Sequence, residues 1–383
     1  MTRYKKIAFV SGGRMDFGLM TPVLNAIDNS RKLKLQLYYT GLHLMPKFGH
    51  SEGDVKKKFP HAKKIAVSFH GDSRIATAHF ASDLFNKLIN EFNKTKPDLT
   101  ITLGDRVEML MVAIASVYLG IPTAQIHGGD KTYHIDEIAR HAITKLSHLH
   151  FAATEDSAKR IEKMGEEKWR IHTVGAPGLD TILNEKLPDK KDVFKLLNLK
   201  PGDKYILVVL HPVFNQINMA GRQMNIILNA VKKTKLPVVI IYPNTDPGAM
   251  KIIREIEKQK NNPLFRIFPN LEYKIFLALE KYTSCWITNS SAGRIESGSF
   301  GIPVVNVGIR QLGRPQGSNV IDVGFNHSQL SNSIDKCLND MKFLNFIKMI
   351  KNPWGDGKTS NRIVRILENI CIDNKLLDKQ ITY

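Results

Sequence analysis

Cysteine is scarce: three in 383 residues, at Cys285, Cys337 and Cys371. Three widely spaced thiols cannot frame a disulfide scaffold or supply a metal-binding pair, and they fit a reducing, cytoplasmic setting. No run of about 18 apolar residues occurs, so no membrane span is expected. The opening MTRYKKIAFVSGGR has too short an apolar run for a secretory leader and reads as a strand ending in a Gly-Gly turn. Neither G-x-G-x-x-G nor G-x-x-x-x-G-K-[ST] stands at a suitable place. That argues against nicotinamide chemistry and ATP hydrolysis.

Acid is in deficit as well. There are 36 Asp and Glu against 55 Lys and Arg, a net charge of +19. Such a balance raises nucleic acid as a partner. Yet the lysines are scattered (Lys56–Lys58, Lys63–Lys64, Lys190–Lys191, Lys232–Lys235) and no recognition helix, zinc finger or aromatic RNA-binding motif accompanies them. The better use of positive potential is attraction of a diphosphate-bearing substrate.

The length predicts two domains, and strands alternate with helices throughout. Strands are expected at Ile7–Ser11, Leu35–Thr40, Leu99–Leu103, Pro122–Ile126, Phe151–Ala153 and Ile171–Val174. The first helix is expected from about Thr21 to Asn29, and residues 41–72 read as a long loop. The pattern restarts with strands Tyr205–Leu210, Val238–Tyr242, Leu264–Ile267, Cys285–Ile287 and Val304–Val307. The expected fold class is α/β, with two Rossmann-like domains whose parallel sheets face a cleft. The domains are 1–175 and 176–383, with the C-terminal helix packing back on the first. Loops Gly12–Arg14, Gly104–Arg106, His127–Asp130, His211–Pro212 and Asn289–Ser291 all follow strands and can converge on that cleft.

The densest chemistry lies in GGDKTYHIDEIARHAITKLSHLH, residues 128–150. Ile135, Ile138, Ala142, Leu146 and Leu149 form one apolar helical face. Glu137, His141 and Lys145 form an i, i+4 row, and Arg140, Thr144 and His148 form a second. Either this is a surface helix with salt pairs or it is the wall of an active site. Asp105 heads a helix, as an N-cap or as a general acid or base. His211 ends a strand before a proline. Ser290, Ser291, Gly293 and Glu296 form a strand-loop-helix stretch suited to phosphate, with Glu296 placed for ribose hydroxyls and Arg310 and Arg314 for phosphates.

LGDRVEML, IHGGDKTYHIDEIARHAITKLSHLHFAATE, VGAPGLD, HPV and NSSAGRIESGSFGIPVVNVGIRQLGR resemble the UDP-N-acetylglucosamine 2-epimerases, over about residues 5–325. The likeness is greatest to the hydrolysing branch. It implies a GT-B-like two-domain fold, no nicotinamide cofactor, no obligatory metal, and a homodimer. It also implies a reaction in which a base removes the proton at C2 of the sugar and UDP leaves C1. Water then adds to the resulting glycal, giving the free 2-epimeric sugar and UDP. On this resemblance Asp105 and Asp136 are catalytic acids or bases, and His211 lies at the diphosphate and sugar. Arg14, Ser290, Ser291, Gly293, Glu296 and Arg310 bind UDP, while His43, Arg106 and His148 lie near the sugar. Where many hydrolysing members carry a glutamate this chain has His127, leaving His127 or Asp130 to take its role. That histidine also resembles the subgroup acting on UDP-2,4-diacetamido-trideoxy sugars, precursors of legionaminic-type acids. Met15 and Phe17 are milder departures. The alternatives are a non-hydrolysing epimerase, a GT-B glycosyltransferase, and a nucleotide- or nucleic-acid-binding protein without catalysis. The Pro-Val-Phe-Asn after His211 disfavours the first, and the acid-rich 128–150 helix is unexplained by the second.

Overall fold

The structure is a computed structural model and describes residues 4–46, 50–133 and 135–383. Among these, strands form two sheets in which every pairing is parallel. The first holds β1 (Lys5–Ser11), β2 (Leu33–Tyr39), β3 (Lys63–Lys64), β4 (Leu99–Leu103), β5 (Thr123–Ile126), β6 (Leu149–Ala152) and β7 (Ile171–Thr173), in the order 3-2-1-4-5-6-7. The second holds β8 (Ile206–Val209), β9 (Val238–Ile241), β10 (Phe265–Phe268), β11 (Cys285–Thr288), β12 (Val304–Val307) and β13 (Val320–Val323), in the order 10-9-8-11-12-13. Helices cover both faces, so the central strands read as unbroken apolar runs; all four residues of β8 are buried.

In both sheets the strand order reverses at one place. In the first it lies between β1 and β4, where Ile7 pairs with Leu35 on one side and Leu99 on the other. In the second it lies between β8 and β11. Connections leave in opposite directions there, and a crevice opens past the strand ends. Loops Gly12–Arg14 and Gly104–Arg106 lie past one crevice, and His211–Pro212 and Asn289–Ser291 past the other.

Helix Thr359–Asn369, the last long helix, belongs to the first core: Ile363 and Leu367 are fully buried with Met20 and Val23 of helix Arg14–Asp28. Between the two sheets Ala153, Ala176, Leu179, Ile295 and Trp354 pack together, and Trp354 is fully buried.

Several expectations are corrected. The first helix begins at Arg14 rather than near Thr21 and runs through Pro22; the Gly13 carbonyl accepts the Phe17 N–H at 3.1 Å and opens the turn early. Residues 41–72 are not one loop, since helix Glu52–Lys58 and β3 lie within them. The helix at Ile135–Leu146 buries Arg140, Ile143 and Thr144, while Ile138 is 69% exposed and Ile135 is 40% exposed. Arg140 and Thr144 of its polar rows therefore turn inward, while Ile135, Ile138 and Ala142 of the expected apolar face turn to the cleft and Leu146 and Leu149 still pack on the first core. Partners explain the inversion. Arg140 donates to the Asp130 carbonyl at 3.0 Å and Thr132 Oγ1 at 2.8 Å, and Thr144 donates to Gln125 Oε1 at 2.7 Å. A buried arginine whose guanidinium ends are paired is tolerated where an unpaired one is not.

Candidate active site

Two cavities adjoin between the sheets and share Arg106 and Asn244. The first is lined by Arg14, Asp16, Arg106, His211, Tyr273 and Ser290. The second, of about 410 Å³, is lined by Asp105, Asp136, Asp246 and Arg310, with apolar walls from Val107, Leu110, Met111, Ile135, Ala139 and Ala142. One cavity is thus cationic and the other holds carboxylates beside apolar surface.

The carboxylates are held by arginines. Asp105 pairs with the guanidinium of buried Arg140. Asp136, in the first turn of helix Ile135–Leu146, meets Arg310 at 3.2 Å. Arg310 also donates to the Asn289 carbonyl at 3.3 Å. Arg106 donates twice to fully buried Glu108, at 3.1 Å each, a bidentate pairing that fixes the plane of its guanidinium. Burial disfavours its charge, but Glu108, Asp246 and Asp16 outweigh that and keep it cationic.

His211 is held on three sides. Its N–H donates to Asn289 Oδ1 at 2.7 Å, and its carbonyl accepts from Asn289 Nδ2 at 2.8 Å. The Asn244 N–H donates to its Nδ1 at 3.1 Å. An accepting Nδ1 leaves the proton on Nε2, an assignment made from the bonding pattern. Burial, then Arg310 and Arg106, push the imidazole well below its usual range. His211 is accordingly a neutral donor.

In the wall of the first cavity, Asp16 accepts from the Gly12 N–H at 2.7 Å, and burial raises its carboxyl to about 6. His43 lies deeper, with Ser11 Oγ at 2.8 Å from its Nε2 and Ser51 Oγ at 2.7 Å from its Nδ1. Burial, then Arg14, lowers it to about 4. His43 supports the loop of Gly12–Arg14 from beneath. Glu296 is buried with Glu280 and takes the Tyr273 hydroxyl at 3.4 Å; burial raises its carboxyl to about 7.

The expected site residues therefore separate. Arg14, Asp105, Arg106, Asp136, His211, Ser290 and Arg310 line the cavities. Gly293 lies behind Ser290, where a Cβ would stand 2.6 Å from Thr288 Cγ2. The helix after Ser291 is only Ala292–Ile295, broken from Ser297–Phe300 at Glu296. So short a helix contributes little dipole, and the charge for an anion comes from arginines instead. His148 is a correction. Its Nδ1 accepts the Thr123 N–H at 3.2 Å, at the start of β5, which puts it at the sheet end opposite the cleft. Asp130 is fully buried and takes Ser157 Oγ at 2.7 Å, His127 Nδ1 at 3.0 Å and Arg314 at 3.4 Å. Burial alone would raise its carboxyl, but His127 and Arg314 hold it below the usual range. Neither His127 nor Asp130 lines either cavity.

Sequence reasoning placed Arg140 only in a polar helical row and missed Glu108, Asn244 and Asp246. Glu108 is the lone acid in the apolar helix Val107–Tyr118, a signal in itself. Asp246 and Asn244 stood in a stretch, PNTDPG, that reads as a plain turn.

Residues 25–368 match the family described as UDP-N-acetylglucosamine 2-epimerase. A UDP-N,N'-diacetylbacillosamine 2-epimerase (hydrolyzing) of Legionella pneumophila is 35% identical over 377 residues, 98% of each chain. A GDP/UDP-N,N'-diacetylbacillosamine 2-epimerase (hydrolyzing) of Campylobacter jejuni is 33% identical, covering 97% of each. The crystal structure of a UDP-GlcNAc 2-epimerase from Neisseria meningitidis, bound to UDP-GlcNAc, superposes with a TM-score of 0.79 at 20% identity, over 94% of this chain and 99% of that one, and so shares the fold. With the family matched across most of its length and relatives above 30% identity spanning nearly all of it, the chain belongs to the UDP-N-acetylglucosamine 2-epimerase family.

Proposed function

We propose that this enzyme is a hydrolysing 2-epimerase that converts a UDP-linked 2,4-diacetamido-2,4,6-trideoxy sugar and water to the free 2-epimeric sugar and UDP. One observation carries the reading: the cavity holding Asp105 and Asp136 opens onto the cationic cavity through Arg106 and Asn244. Elimination across C1 and C2 needs both halves at once. A carboxylate takes the C2 proton, and the C1–O electron pair leaves with the diphosphate. Arg14, Arg106, Arg310, the Nε2–H of His211 and Ser290 are the donors that would stabilise that leaving charge. Water then adds at C1 while a proton returns to C2.

The sugar identity rests on the apolar wall. A 6-deoxy sugar presents a methyl group where N-acetylglucosamine has a hydroxyl. Val107, Leu110 and Met111 suit a methyl and leave a hydroxyl poorly solvated. The relatives with diacetylbacillosamine in their names point the same way. A cytoplasmic homodimer completes the reading, and light scattering tests its assembly.

The experiment is a direct comparison. UDP-N-acetylglucosamine and UDP-2,4-diacetamido-2,4,6-trideoxyglucose are each incubated with the enzyme in deuterated water and followed by NMR. Free 2-epimeric sugar carrying deuterium at C2, formed faster from the diacetamido substrate, is expected. An intact UDP-sugar epimer would overturn the hydrolysing assignment, and a preference for UDP-N-acetylglucosamine would overturn the sugar.

A further inference from the structure

We propose that Asp246, carried by the second sheet's lobe, is a third catalytic carboxylate and accepts the proton of the water that adds at C1. The proposal rests on the epimerase reading above. Inversion at C2 followed by hydration needs three proton-handling acts: removal of a proton on one face of C2, delivery on the other, and deprotonation of water. Asp105 and Asp136 supply two carboxylates to the cavity. The sequence offers His127 and Asp130 for the third, but Asp130 is sealed beneath the cleft by Ser157, His127 and Arg314, and neither residue lines the cavity.

Asp246 does line it, in the loop between β9 and helix Ala249–Glu257. Asn244 Nδ2 donates to its Oδ2 at 2.5 Å, and Arg310 stands 3.9 Å from the same oxygen. Among the described residues no donor reaches Oδ1. The side chain is 35% exposed and open to the cavity, and its contact with Arg310 is made through Oδ2 alone. Burial, then Asp136, raises its carboxyl against the pull of Arg106 and Arg310, and a more basic carboxylate is the better proton acceptor.

The step balances as follows. Water oxygen bonds to C1, the C1=C2 electron pair takes a proton from a first-lobe carboxylic acid at C2, and the water proton passes to Asp246. Across the whole turnover two carboxylates have gained a proton and one has lost one, so one proton leaves to solvent.

The test compares UDP release with free-sugar formation for wild type, Asp246→Asn, Asp246→Ala and Asp105→Asn, by quenched-flow NMR. Wild type gives the two products one to one. Asp246→Asn and Asp246→Ala are expected to release UDP and accumulate the glycal, with free sugar lagging UDP by at least tenfold, and added formate restores free sugar in Asp246→Ala. Asp105→Asn is expected to stop both. Free sugar and UDP still one to one in the Asp246 variants, at lower kcat or higher KM, would overturn the proposal and leave Asp246 as support for Asn244 and His211. Loss of all turnover in both Asp246 variants with no formate rescue would overturn it too. Failure of wild type to release UDP from either substrate would instead sink the epimerase reading.

Discussion

Arg310 of the second sheet's lobe meets Asp136 of the first at 3.2 Å while donating to the Asn289 carbonyl at 3.3 Å. One guanidinium thus joins a cavity carboxylate to the loop that carries Ser290. In the proposed reaction a bound diphosphate would compete for that guanidinium and free Asp136 as Arg310 turned to phosphate. Arg310→Ala removes the leaving-group donor and the tether together. Truncating one member of such a pair costs about 2–5 kcal/mol, so kcat/KM should fall by at least tenfold, measured with saturating and subsaturating UDP-sugar. Arg310→Lys should recover little, because a point charge cannot hold two planar acceptors.

Arg140 is 1% exposed and carries Asp105, the Asp130 carbonyl and Thr132 on one side chain. Arg140→Met keeps the volume but leaves Asp105 unpaired and a buried carbonyl without its donor. Removing one member of a buried pair costs about 3–5 kcal/mol. Denaturant unfolding should show a loss of that order. Activity at neutral pH should fall as well, since Asp105 loses the guanidinium that fixes its position in the cavity. A variant as stable and as active as wild type would contradict this account.

Much of this was legible in the sequence for a plain reason. Parallel strands buried on both faces leave apolar runs, and the loops after them carry their chemistry in a few consecutive residues, as at Gly104–Arg106 and Asn289–Ser291. What was not legible was direction. Ile135, Ile138 and Ala142 do form a helical stripe, yet the stripe faces the cavity because Arg140 finds its partners beneath the helix. Periodicity reports that a face exists, and only tertiary partners decide which side is inward. His148 illustrates the same limit, since its helix row says nothing of the sheet end at which it lies. Asp246 was hidden because a turn aspartate has a sufficient local reason to be there.

Gly129 sits at φ +71° in the turn that delivers Asp130, and a Cβ there would run into the Ser157 carbonyl. Backbone cannot yield as a side-chain end can. Gly120 also has positive φ, at +67°, but nothing lies within 4 Å of its Cβ position. Alanine at either position meets the left-handed penalty of about 1–2 kcal/mol. Only Gly129→Ala adds the collision, and it displaces Ser157 from Asp130. Thermal unfolding should therefore place Gly129→Ala clearly below Gly120→Ala. Equal melting temperatures would show that the turn relaxes at no cost.

If Glu296 receives the ribose hydroxyls of UDP, as the sequence resemblance implies, it would set a pH dependence on UDP affinity. Its carboxyl stands at about 7 because it is buried, despite the Tyr273 hydroxyl at 3.4 Å. Glu280 beside it is fully buried and raised further, by burial and by Glu296 itself, so it stays protonated. Ribose hydroxyls donate to a carboxylate better than to a carboxylic acid. Binding through that contact would therefore favour ionised Glu296 and lower its pKa in the complex. The sign follows: below about 7 the free enzyme holds a proton that must leave on binding, and above it no such cost remains. UDP should bind about tenfold more weakly at pH 6 than at pH 8 through this group, one pKa unit being a factor of ten. The nucleotide's own phosphate titrates in the same range, so the comparison is with Glu296→Gln, which keeps the ligand's contribution and removes the carboxyl's. Calorimetry in buffers of differing ionisation enthalpy should show wild type releasing more proton at pH 6.5 than the variant. Identical pH profiles for the two would mean that Glu296 does not meet the ribose.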